Sequence, residues 1–115
     1  MNLQTTKKLR SKGVRGLRQG TTPEFVFELP FDTDRVKTAK VTFVTNNGTK
    51  VEKRHEDCSL EENKITVKLS QEDTFRLEVG PIRVQLRILT QNEEALSSDT
   101  FSVNISKCLD DEVLT

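Results

Sequence analysis

The stretch Pro81-Ile82-Arg83-Val84-Gln85-Leu86-Arg87-Ile88-Leu89 is the longest regular alternation in the sequence. Successive side chains of a strand point to opposite faces, so Ile82, Val84, Leu86 and Ile88 share one face and Arg83, Gln85, Arg87 and Leu89 the other. The period predicts a half-buried β-strand. Pro81 lacks a ladder donor, which suits the opening of a strand.

The same period recurs on both sides of this stretch. Phe25, Phe27 and Leu29 alternate with Glu24, Val26 and Glu28 between Pro23 and Pro30. Val41 and Phe43 alternate with Lys40, Thr42 and Val44 and run into Asn46-Asn47-Gly48, a hairpin signal because Asn-Gly accepts the positive φ angles of a tight turn. The return strand, Thr49 to Arg54, has Val51 as its only apolar residue and reads as an exposed edge. After a polar connection through Asp57, Cys58 and Ser59, Ile65, Val67 and Leu69 alternate with Asn63, Thr66 and Lys68. Ser70-Gln71-Glu72-Asp73 has the spacing of a helix N-cap with its acidic partner, and predicts one short turn, with Phe75 and Leu77 closing the structure. A loop at Gln91 to Glu94 leads to the last strand, with Phe101, Val103 and Ile105 inward and Thr100, Ser102, Asn104 and Ser106 outward. These elements predict an all-β fold: an immunoglobulin-like antiparallel β-sandwich of six or seven strands with one short helical turn.

A chain of 115 residues has room for one hydrophobic core. Thirty-three residues are Leu, Ile, Val or Phe, which is enough apolar matter to fold. Trp and Tyr are absent, so a recognition surface must be built from polar groups, aliphatics and backbone. No leader-like or membrane-spanning apolar run is present, and a soluble product of the cytoplasm is the expectation. In that compartment Cys58 and Cys108 are expected as free thiols, a bond between them being the alternative.

The net charge of zero conceals a segregation. Residues 1–20 hold six basic side chains (Lys7, Lys8, Arg10, Lys12, Arg15 and Arg18) and no acidic one. They show neither period, and predict a flexible basic arm. A sandwich domain over 21–106 and an acidic tail over 107–115, with Asp110, Asp111 and Glu112, complete the expected organisation.

Catalytic and metal chemistry find little support. His55 is the only histidine and lies in the polar run Arg54-His55-Glu56-Asp57, where a solvated loop residue is expected. Zinc would need three or four Cys or His ligands. Asp32-Thr33-Asp34 lacks the spaced ligands of a calcium loop and reads as a turn. No Gly-rich phosphate loop and no paired-carboxylate motif in an apolar setting occurs, so the chain is expected to be no enzyme and to carry no cofactor.

The order of motifs carries a resemblance. Arg18-Gln19-Gly20 leads into the Phe-rich strand; then come the Asn-Gly hairpin, the run from Asn63 to Thr74, Gly80 with Val84 to Ile88, and Ser97 to Ile105. Over 18–106 this resembles the N-terminal, particle-attaching β-sandwich of upper baseplate proteins from siphophages of Gram-positive hosts, and related small prophage tail proteins. In longer relatives the module precedes a receptor-binding or fibre region, whereas this sequence ends at Thr115. The resemblance implies a structural or assembly protein of a virion, with other virion proteins as partners. Two further expectations concern partners. The basic arm could bind nucleic acid through phosphates. It could also meet the acidic tail of another copy, the contact being held by pairing of the arm, or of strand Thr49 to Arg54, on a neighbour's sheet edge.

Overall fold

The computed structural model describes residues 16–115 and the backbone of Thr6–Arg10. Among the described residues ten strands and one α-helix follow in chain order, besides 3-10 turns at Thr33–Arg35 and His55–Asp57: β1 Thr6–Arg10, β2 Leu17–Arg18, β3 Glu24–Glu28, β4 Val36–Thr45, β5 Lys50–Arg54, β6 Cys58–Glu61, β7 Lys64–Lys68, α1 Gln71–Arg76, β8 Gly80–Thr90, β9 Ala95–Ser97 and β10 Phe101–Ser106. They form two sheets. One has the order β1-β3-β7-β6, and the other β2-β10-β8-β4-β5, with β9 also on β8. The chain crosses between them after β1, β2, β3, β5 and β7, so neither sheet is a simple meander. All pairs are antiparallel except β2 with β10.

The core lies where the alternation put it. Val41 stands opposite Leu86 and Phe43 opposite Val84 across β4 and β8, and all four are fully buried. Phe25 meets Phe43 edge to face at 5.2 Å between centroids, joining the two sheets. Such a ring pair adds about 0.5–1.5 kcal/mol beyond the area it buries.

Strand number and the reading of residues 1–20 need correction. Thr6–Arg10 pairs along the whole of β3, and Leu17 is 3% exposed inside the core beside Ile105. Residues 16–20 are thus part of the sandwich, and Thr6–Arg10 is a strand rather than irregular arm. Residues 1–5 and 11–15 lie outside the described residues. Cys58–Glu61, read as connection, pairs with β7, and Ala95–Ser97 pairs with β8. Val26, read as outward, is buried but stands apart from the core cluster.

Three local devices fix the loops. At the hairpin, Gly48 has φ 89° and its N–H donates to Thr45 O, closing a three-residue loop in which the glycine alone is left-handed. Glu78 latches this turn, its carboxylate accepting from Thr45 Oγ1 (3.0 Å), Thr49 Oγ1 (2.8 Å) and Asn47 Nδ2. On α1, the Ser70 hydroxyl accepts from Asp73 N–H and the Asp73 carboxylate from Ser70 N–H, the reciprocal box expected from the spacing. The fully buried Thr74 accepts from Gly20 N–H and donates to Thr21 O, which clamps the chain entering β3. Between β9 and β10 the ladder is kept by a side chain: Ser98 Oγ accepts from Leu86 N–H at 2.9 Å, while Ser98 N–H donates to Leu86 O.

Candidate functional site

The two outer sheet faces are charged in different ways. On β3 and β7 opposite signs stand in register, Glu24 against Lys68 and Glu28 against Lys64, so this face is balanced. On the six-stranded sheet, β5, β4 and β8 carry Arg54 opposite Lys40 and Lys40 opposite Arg87. Like charges directly opposite each other destabilise a sheet. Three cations in one row across three adjacent strands therefore carry a cost that an anion would relieve. Four residues further along, Lys50, Val44 and Arg83 form a second row across the same strands. At about 3.4 Å per residue the rows are about 14 Å apart.

One acid interrupts this face. Glu52 pairs with Lys40, and its carboxyl is held below the ordinary carboxylate range by that hydrogen bond first, then by the Lys40 charge, with Arg54 and Lys50 adding. Arg54, Lys50, Arg83 and Arg87 are exposed. A shallow groove follows the first row, lined by Lys40, Arg54, His55, Arg87 and Leu89 and by a second acid, the exposed Glu56. His55 differs from the solvated residue expected: it is half-buried at the groove's end, and its Nδ1 is enclosed without a hydrogen-bond partner among the described residues.

The acidic segment is tied at both ends. Arg18 Nη1 donates to Lys107 O at 2.9 Å, while Gln71 and Leu114 exchange two hydrogen bonds of 3.0 and 2.8 Å. Between these ties Asp110, Asp111 and Glu112 are exposed, and so is Leu109. The segment is a strap across the end of the sandwich where α1 leads into β8.

The candidate residues named from sequence are thus only partly brought together. Arg18 meets the start of the acidic strap. Lys7, Lys8 and Arg10 stand on β1 in the other sheet, in register with Phe27, Val26 and Glu24. Their side chains, with Lys12 and Arg15, lie outside the described residues. The residues missed are Lys40, Lys50 and Arg54, while Arg83 and Arg87 were placed outward without a role. Asp32 caps a turn through Asp34 N–H, as its reading predicted. Cys58 and Cys108 are both free thiols. Among the described residues no His, Cys, Asp and Glu group could hold a metal ion, and no helix is long and apolar enough to cross a membrane.

No protein-family model matches this sequence, and no curated protein matches it. Among solved structures, the chain is similar to a DUF4466 family protein from Parabacteroides merdae ATCC 43184, with a TM-score of 0.43 and 11% identity over 91% of this chain and 45% of that one. The chain spans less than half the length of that protein. So distant a likeness carries no argument about ligand or partner.

Proposed function

We propose that this chain is a non-enzymatic interaction module of immunoglobulin-like topology, a structural or assembly component of a phage or prophage virion, which meets its neighbour through the outer face of the six-stranded sheet. The observation that carries the docking face is the row Arg54, Lys40, Arg87, three like charges held in register. The strand order supports the topology: β1-β3-β7-β6 against β4-β8-β10 matches the Greek-key order of a seven-stranded immunoglobulin sandwich, to which β5 is added beside β4 and the short β2 and β9 beside β10 and β8. The resemblance of residues 18–106 to particle-attaching baseplate sandwiches supports the setting; fold alone fixes no function.

Mass spectrometry of particles purified from a strain carrying the gene tests both parts. The native chain is expected in the particles, and a folded Arg54→Glu, Arg87→Glu variant is expected to be depleted from them. Particles without the native chain overturn the virion reading. Equal incorporation of the variant overturns the docking face.

A second reading has the same row behind it, since aligned cations can follow a phosphate backbone. Three phosphate contacts give a slope of about −2.7 for log K against log salt on duplex DNA. A mobility shift with that slope, lost in the double variant, is the expected result. No shift at low salt removes this reading.

A further inference from the structure

We propose that the groove along Arg54, Lys40 and Arg87 receives the acidic strap Lys107–Leu114 of a second copy of this chain, so that copies join end to end. The inference rests on reading the row as a docking face and names its occupant. Glu52 takes up Lys40 and Glu56 lies at the groove, which leaves the exposed Arg54 and Arg87 as the cations that the strap's acids would meet. Asp110, Asp111 and Glu112 are exposed in one short run, and Arg54 and Arg87 flank the Lys40–Glu52 pair on strands about 4.8 Å apart. Beside the acids, Leu109 stands wholly in solvent, and beside the cations lie Leu89, half-buried, and Ala95, exposed, both at the groove. Apolar and acidic groups on the strap thus find apolar and basic groups in the groove.

The contact cannot close within one molecule. Both ties of the strap sit at the end where β8 begins, Ile105 being in register with Gly80. Arg87 is seven residues further along β8, about 24 Å away at the rise of a strand. From Lys107, the extended chain reaches Asp110 within about 10 Å. The strap therefore stays at its own end and presents its acids outward. A contact between two different surfaces at opposite ends of the same molecule repeats, and it builds a ring or an open row of subunits.

Sedimentation of the full chain at low salt tests this. The weight-average mass is expected to rise with concentration and to return to the monomer value near 1 M salt, where the screening length falls to about 3 Å. The variant Arg54→Glu, Arg87→Glu and the variant Asp110→Lys, Asp111→Lys are each expected to be monomeric. Their equimolar mixture is expected to associate, and so is the chain bearing all four substitutions, in both cases reversibly near 1 M salt, which aggregation of misfolded chains would not be. A native chain that stays monomeric at low salt overturns the inference. So does association that survives either reversed pair, or reversed pairs that fail to restore it while circular dichroism shows them folded. None of these outcomes touches the particle measurement, which reads the docking face without regard to its occupant.

Discussion

Lys53 Nζ lies 2.6 Å from Asp73 Oδ2, joining the edge strand β5 to the residue that caps α1. Both side chains are largely covered, 20% and 11% exposed. Burial raises the Asp73 carboxyl, but the bonds from Lys53, from the Ser70 amide and from the Ser70 hydroxyl outweigh it, and the group sits below its ordinary value. One residue thus holds the helix start and ties it to the opposite edge.

Asp73→Asn is expected to lower stability at neutral pH by about 1.5–3 kcal/mol, the range for hydrogen bonds to a charged group. The carboxylate's contribution is complete above the unfolded value, about 3.9, and is lost as pH falls through the lower folded value. Urea midpoints of the native and variant chains should therefore converge in acid. Curves that stay parallel from pH 7 to pH 2 would refute the role.

The Glu78 latch is half-buried, and its carboxyl is held low by hydrogen bonds from Asn47 first, then Thr49 and Thr45. Replacing Glu78 with Ala should leave the core intact and loosen the hairpin. Hydrogen exchange is expected to quicken at Gly48 and Thr49 and to stay unchanged at Val41 and Leu86. Uniform quickening would mean that the latch supports the whole fold.

Ser98 is 4% exposed and supplies the acceptor for Leu86 N–H. Ser98→Ala leaves that amide without a partner, at a cost of about 1–3 kcal/mol. The denaturant midpoint should fall, and the Leu86 amide should exchange faster. An unchanged midpoint would show that the backbone closes the gap unaided.

The Cys58 thiol is pushed up to about 11, by burial first and then by Asp57 and Glu56. Set against its ordinary value of 9.0, that means about a hundredfold less thiolate near neutrality. Alkylation at pH 8 should be slow at Cys58 in the folded chain and become rapid in denaturant. Equal rates in both states would contradict the burial.

The faces of the strands were legible in the sequence because one side of each had to be buried. Phe25, Phe43, Leu86 and Ile105 all lie where period two puts them. Thr6–Arg10 was not legible, since an edge strand is held by backbone bonds that ask little of its side chains. Leu17 follows Leu9 and Val14 in the basic run at spacings that fit neither period, so nothing local marked it as core. The cationic row was half visible. Alternation turned Arg83 and Arg87 outward, but the row exists only through the register that sets Lys40 against both Arg54 and Arg87. Register depends on how distant strands meet, and no local pattern states it.

The parallel pairing of Leu17–Arg18 with Ile105–Ser106 has a mechanical side. Tension pulling residue 17 toward the start of the chain and residue 106 toward its finish slides these strands past each other. The Gln19 to Ser106 and Arg18 to Lys107 bonds, each 2.9 Å, are then loaded together in shear instead of being peeled one at a time. Once β1 has been drawn off β3, a subunit pulled through its two ends is latched at β2 and β10, before the strands behind them bear load. In single-molecule extension Arg18→Ala should lower the first unfolding force; an unchanged force would place the latch elsewhere.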